Sequence, residues 1–333
     1  MKTFLLLLLA CQIAYAQQYQ VINQENSAVG YRGLAFINDS SFVVSGSGNT
    51  IGLTTNSGKT FSWIQSPHYT GRDFRDIEVF SEKHFVAMAI ARPAVLIETK
   101  DAGKTWREIY HNDTEGVFLD ALFKTKKGEI YAVGDPLISG KPFIIHQGKE
   151  LHSLFGKELR LQNPDEAFFA ASGSNLYLDD HQALLVSGGA ATHLYHYHSN
   201  SLGVYTLDKT PSKTAGINGL KYDPSLNVGY LTGGDFSKPD DSTGNFYRFT
   251  IENERIIFQP TDSKPTGYKT DAVILNKNTV IVCGYSGVEL SKDEGNSWQW
   301  ITHDSYNACA VAPNGEWVVL VGSNGKIASV RLK

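Results

Sequence analysis

Seven similar strand-like runs divide the chain: YRGLAF from Tyr31, FRDIEVF from Phe74, FLDALFK from Phe118, FFAASGS from Phe168, INGLKYD from Ile217, KTDAVIL from Lys269 and NACAVAP from Asn307. Aligned on Gly33, Asp76, Asp120, Ala170, Gly219, Asp271 and Cys309, they are spaced by 43, 44, 50, 49, 52 and 38 residues. A unit of that length cannot bury both of its faces alone, and repetition at this period marks the four-stranded blades of a propeller. Helical periodicity is nearly absent, while Gly, Asn, Asp and Ser bound short β-rich runs throughout.

Each run is followed by a second apolar strand ending in small residues, such as FVVSGSG, ALLVSGG and WVVLVGSNG, and then by a third, such as AVLIET and HLYHYH. A fourth follows in most repeats, as in FSWIQ, WREIY and WQWIT. The last repeat reaches Lys333 after three strands, and QYQVINQE, ahead of the first inner strand, can supply the missing one. Closing the ring with both ends of the chain removes an open sheet edge. The expectation is an all-β, seven-bladed β-propeller over residues 17–333, its last blade closed by the N-terminal strand.

Three turns share one phrase: TTNSGKTF at 54–61, TKDAGKTW at 99–106 and SKDEGNSW at 291–298. Each falls between a third and a fourth strand, where a hairpin must reverse. The Gly supplies positive φ, the Asp or Asn bonds turn amides, and the aromatic is expected to bury against the next blade. Asn56, Gly58, Asp101, Gly103, Trp106, Asp293, Gly295 and Trp298 are therefore read as structural. The phrase resembles the Asp-box, or bacterial neuraminidase repeat, which marks a fold without marking an activity.

The chain opens with Lys2, an apolar run over 4–10 and Ala14-Tyr15-Ala16, the layout of a cleaved secretory leader over 1–16. Leu8-Leu9-Ala10-Cys11 offers the alternative of a lipoprotein acylated at Cys11; the apolar residues after Cys11 favour ordinary cleavage. The mature chain is expected to be secreted or periplasmic and has no further run of transmembrane length. Cys283 and Cys309 sit in apolar strand-like runs and read as buried thiols, although the compartment permits a disulfide. Thirty-four acids against thirty bases, a net charge of −4, do not recommend nucleic acid as a partner.

Beyond the boxes, YRGLAFINDSSFVVSGSGNTIGLTTNSGKTFSW, DFRDIEVF, AFFAASGS, GGDFSKPDDSTGN and YSGVELSKDEGNSW are similar to the propellers of the photosystem II assembly and stability factor family, which includes secreted members from non-photosynthetic bacteria. The resemblance spans the mature chain and implies a propeller. For the photosynthetic members it also implies binding to an assembling membrane complex. Some relatives carry the label oxidoreductase, which the residues do not support: Gly46-Ser47-Gly48-Asn49-Thr50-Ile51-Gly52 is one residue too long for a dinucleotide loop and opens a strand, not a helix.

In a propeller, the starts of the inner strands and the loops after the second strands open on one face. There the sequence places Arg32, Arg75, Asp76, Arg92, Asp120, Asp135, Asn218, Asp235, Lys269 and Asp271, with the loops GDPLISGKPF and GDFSKPDDSTGN adding reach. Acids at such positions serve equally well to pair with arginines or backbone amides around the channel. A sialidase-like hydrolase, which would use arginines, carboxyl groups and a tyrosine, lacks its opening Arg-Ile-Pro motif here, and its six blades conflict with seven runs. In THLYHYHSN, His196 and His198 share a strand face while His193 points the other way, so no metal set converges. The reading is a protein-binding or assembly module without cofactor or metal. Its partner is another protein or an envelope complex, with a glycan as the alternative ligand. It leans against catalysis, with a glycan-acting hydrolase or a cofactor-dependent oxidoreductase as rivals.

Overall fold

The computed structural model describes residues 18–332 except 26, 27, 66, 200 and 208–211; the expected leader over 1–16, with Cys11, lies outside the described residues. Blade 1 is an antiparallel meander of Tyr31–Asn38, Ser41–Gly46, Thr50–Thr54 and Ser62–Ile64, counted outward from the axis. The innermost strands of blades 2 to 7 are Phe74–Ser81, Leu119–Lys124, Leu176–Leu178, Ala215–Asp223, Lys269–Asn276 and Ala308–Val311. The seven blades form a β-propeller.

Blade 7 takes its outermost strand from Gln18–Asn23, which pairs antiparallel with Ile327–Arg331 in the register Gln18 to Arg331 and Tyr19 to Val330. Tyr19 adds a side-chain clasp: its hydroxyl donates to Asp304 at 2.6 Å and lies 2.7 Å from the Tyr306 hydroxyl. The two ends of the chain thus complete one sheet, and no strand edge is left open at the seam.

Successive strand residues point to opposite faces, and in a propeller both faces are covered by neighbouring blades. In blade 2, Phe85, Ala87 and Ala89 join the cluster shared with blade 1, while Val86 and Met88 join the cluster shared with blade 3. Seven such apolar clusters lie among the described residues, one between each pair of consecutive blades. Burial on both faces is why the second strands read as unbroken apolar runs rather than as alternating patterns.

The three repeated turns have one geometry. In blade 2, Thr99 Oγ1 donates to Asp101 at 2.8 Å and accepts the Gly103 N–H at 2.8 Å, while Asp101 accepts from both the N–H and the hydroxyl of Thr105 at 2.8 and 2.6 Å. Ser291, Asp293, Gly295 and Ser297 repeat it in blade 6, and so do Thr54, Asn56, Gly58 and Thr60 in blade 1, except that the Asn56 amide N–H donates to the Thr60 hydroxyl at 2.9 Å. Each turn carries two successive left-handed residues: Ala102 and Gly103, for example, have φ of 59° and 85°. The closing aromatics pack against the preceding blade, not the next one as expected. Phe61 joins the cluster with blade 7, Trp106 that with blade 1, and Trp298 meets Phe246 of blade 5 edge-on at 4.9 Å.

One inner strand is misplaced by the sequence pattern. FFAASGS does not form the inner strand of blade 4; that strand is the three-residue Leu176–Leu178, paired with Gln182–Val186. The residues before it form an irregular strap across the axis.

Candidate functional site

The inner strands of blades 1, 2, 3, 5 and 6 each shift register at the same place, skipping Arg32, Arg75, Asp120, Asn218 and Thr270 respectively. A β-bulge leaves one residue unpaired and re-aims its side chain. Next to it the blades converge on the axis. A Cβ at Gly33 would sit 3.0 Å from the Asp76 backbone, and one at Gly219 would sit 2.9 Å from the Thr270 carbonyl oxygen. The bulges also correct the alignment: Asp120 corresponds to Arg32 and Arg75, not to Asp76, and in blade 6 the bulged residue is Thr270, not Lys269.

The strap, residues 166–174, crosses the channel between these bulges. It is moored at its start by buried Glu166, which accepts from Ser187 Oγ at 2.5 Å and Tyr195 OH at 2.9 Å, with His193 Nδ1 3.0 Å away. Along its length, the Phe168 N–H donates to Asp135 at 2.7 Å, Arg75 Nη1 donates to the Ala170 carbonyl at 3.4 Å and Arg32 Nη1 to the Ala171 carbonyl at 2.8 Å. Ser172 Oγ donates to the Thr270 carbonyl at 2.8 Å and Ser174 Oγ to Asp271 at 3.2 Å. At Gly173, with φ of 71°, a Cβ would fall 2.0 Å from an Asp76 carboxylate oxygen. The strap divides the channel into an upper pocket, where the inner strands begin, and a lower cavity.

The upper pocket encloses about 530 Å³. Phe169, Phe236, Tyr268 and Tyr285 form a chain of edge-to-face contacts with ring centroids 5.9, 6.4 and 5.1 Å apart. Arg32 closes the arc with Nη2 3.5 Å from the Tyr285 hydroxyl, and Arg75 lies over the Phe118 ring at 6.0 Å. Arg75 Nε is bound to Asp73 at 2.8 Å, whereas Arg32 has no carboxylate partner among the described residues. On the rim, Phe236 is exposed by 40%, which leaves apolar surface in the same pocket as the two cations.

Of the ten residues the sequence places on this face, Arg32, Arg75 and Asp135 line the pocket. Burial pushes the Asp135 carboxyl up to about 6. Asp120 lies fully buried behind the strap with neither oxygen hydrogen-bonded, and burial, then the nearby Asp135, raises its pKa well above the usual carboxylate range. Buried Asn218 meets the Tyr268 hydroxyl at 2.6 Å, its oxygen accepting while its amide N–H groups serve the carbonyls of Thr232 and Lys269. Asp76 and Asp271 fall below the strap, in the lower cavity. Lys269 is fully buried against Glu289 at 2.8 Å, since it precedes the bulge and its side chain turns away from the axis. Arg92 pairs with Asp113 at 2.8 Å on the exposed surface, and Asp235 caps its own loop by accepting the Ser237 N–H at 3.0 Å.

Sequence reasoning missed the strap and the aromatic arc. The signal for the first was faint: FFAASGS is followed by NLYLDDH, an alternating Leu-Tyr-Leu ending in Asp-Asp, which is the better strand and turn. The His196 and His198 rings lie with centroids 4.5 Å apart, tilted by 34°, and burial followed by repulsion from His198 lowers the His196 pKa to about 4.

The fold and the strapped tunnel define a seven-bladed propeller with a polar and aromatic mouth. Among solved structures, the chain is similar to "YCF48 bound to D1 peptide" (TM-score 0.62, 13% identity, 95% of this chain and 97% of that one). It is similar also to YCF48 from Cyanidioschyzon merolae (0.65, 14%, 94% and 98%) and to a streptogramin B lyase (0.68, 12%, 95% and 98%). No protein-family model and no curated protein matches the chain.

Proposed function

We propose that the chain is an exported propeller of the Asp-box kind that binds a segment of another protein at its upper pocket. The observation that carries this reading is Arg32, a guanidinium without a carboxylate partner among the described residues, set at the end of an aromatic arc. Such a mouth suits a peptide that offers a carboxylate to the cations and an apolar side chain to the rings, because arginine and aromatic residues dominate the energetics of protein interfaces. Exposed Phe236 extends apolar surface for the flanking residues. A structural neighbour of similar architecture is described as bound to a peptide. Export is supported by the leader-like pattern over 1–16, and the described residues include no helix long and apolar enough to cross a membrane.

A hydrolase on this face would set two carboxyl groups across the open pocket. Asp135 is the one carboxylate lining it among the described residues, and it is engaged by the Phe168 N–H. The test is affinity capture from the native envelope with the wild type and Arg32→Ala/Arg75→Ala. Loss of specific partners in the double variant supports the reading, and an identical captured set rejects this face.

A further inference from the structure

The lower cavity is the larger of the two halves, about 570 Å³, within the range of small-molecule sites. Its closed end is the strap at Ser172, Gly173 and Ser174, and its walls include Leu34, Phe123 and Val311. Four carboxyl groups of the inner strands line it, and Asp223 among them is held by the N–H and hydroxyl of Ser225 at 2.8 and 2.6 Å. Asp271 is paired with Lys221 at 3.2 Å. Asp76, more than nine-tenths buried, is bonded to backbone donors alone, the N–H groups of Ile77 at 2.9 Å and Leu122 at 2.7 Å. Glu78, two residues along the same strand and on the same face, accepts the Lys124 N–H at 3.2 Å through one oxygen. The Lys124 ammonium turns instead to the Val79 carbonyl and the Phe80 ring. Lys221 is therefore the one ammonium set among Asp76, Glu78 and Asp271, while the exposed Lys126 lies toward Asp223.

We propose that the lower cavity is a binding site for a small organic ammonium ion with an apolar body, its cation at Asp76 and Glu78 and its hydrocarbon against the apolar walls. Two carboxyl groups in a confined space without a bonded cationic side chain are costly to ionise, and a bound cation removes that cost. Their titration agrees. Burial, then repulsion from Glu78, holds Asp76 well above the usual range, and burial pushes Glu78 up to about 7. The excess of acids disfavours an anion, the apolar walls suit an organic ligand, and no group of three or more metal-binding side chains occurs among the described residues. The strap separates this site from the upper pocket, so the proposal does not rest on the protein-binding reading.

Calorimetric titration of the mature protein with hexylamine and spermidine, against hexanoate and hexanol as apolar controls, tests it. The amines should bind and the controls should not. Glu78→Gln should weaken amine binding by roughly tenfold or more, the worth of a charge-assisted contact. Ala310→Trp, which fills the cavity from a wall position, should abolish it. Binding should also weaken as the pH falls from about 8 to about 6, as Glu78, which faces Asp76, Lys124 and Lys221, takes up a proton. Absence of amine binding, equal binding of the controls, or amine binding indifferent to both Glu78→Gln and Ala310→Trp would overturn the proposal. The two variants act without disturbing the backbone bonds that Asp76 makes, so misfolding of an Asp76 variant does not enter the result.

Discussion

Asp135 Oδ1 accepts the Phe168 N–H at 2.7 Å, tying the strap of blade 4 to the second strand of blade 3, Ile130–Ile138. Between the short pairing of Glu166–Ala167 with Gly188–Gly189 and the bridge of Ser174 to Gly219, the strap is irregular backbone, so its rigidity there comes from side chains. Asp135→Ala removes the acceptor, and amide hydrogen exchange over 168–171 should quicken by roughly ten- to a hundredfold, the equivalent of a hydrogen bond to a charged group. Asp135→Asn keeps an acceptor oxygen and should stay near wild type. Unchanged exchange in the alanine variant would mean that the other moorings of the strap hold it without Asp135.

Four interior carboxyl groups, Asp76, Glu78, Asp120 and Asp135, have folded pKa values raised above their unfolded ones, chiefly by burial. The folded state then holds more protons than the unfolded state between about pH 4 and pH 7, so stability falls as the pH rises through that window. Their contribution is complete below the unfolded value and is lost as each folded pKa is passed. Carboxylates with lowered values, such as Asp101 at about 2, act below the window, where stability is lost as the pH falls. The urea midpoint should decline from about pH 4.5 to about pH 7.5, across the window. Asp120→Asn, isosteric with the neutral acid, should flatten that decline; an unaltered slope would show that Asp120 titrates as an ordinary carboxyl.

Thr99 is buried, and its hydroxyl both donates to Asp101 and accepts the Gly103 N–H. Thr99→Val keeps the shape and deletes both bonds, together with the one its hydroxyl accepts from the Asp101 N–H at 3.3 Å. It should cost about 1–3 kcal/mol in chemical denaturation, because two N–H groups of the turn lose their acceptor. Lys100→Ala, on the exposed side of the same turn, should change stability by less than about 0.5 kcal/mol. Equal effects from the two would remove the hydroxyl from its role in the turn.

Removal of residues 18–23 should bare the edge of Ile327–Arg331 and delete the Tyr19 clasp to Asp304 and Tyr306. The expected result is a lower melting temperature and concentration-dependent self-association in size-exclusion chromatography, since an uncovered strand edge templates pairing with another chain. A truncated chain that stays monomeric with an unchanged melting temperature would show that the closing strand is dispensable.

Arg32→Ala should weaken capture of a peptide that ends in a carboxylate more than capture of its amidated form. The other partner of this guanidinium in the pocket is a carbonyl of the strap. A surface-immobilised peptide pair measured at low and high salt resolves the difference. Equal losses for both peptides would assign Arg32 to the strap and not to a ligand.

The sequence by itself determined the number of blades, the N-terminal closure and the three stapled turns. These follow from local rules: unbroken apolar runs such as FVVSG mean burial on both faces, and a Gly after Asp or Asn in a hairpin supplies positive φ. What only the tertiary structure decided is where side chains near the axis point. Arg32 and Arg75 enter the upper pocket because a one-residue bulge re-aims them, while Lys269, one residue before its bulge, turns to Glu289. Asp76 and Asp271, one residue past theirs, belong to the lower cavity. A one-residue shift in pairing reverses the face a side chain takes, and pairing is settled by the neighbouring strand, not by the residue itself. The strap lies beyond the same limit: FFAASGS has the composition of an inner strand, and only its mooring at Glu166, Asp135 and the two arginines makes it a partition.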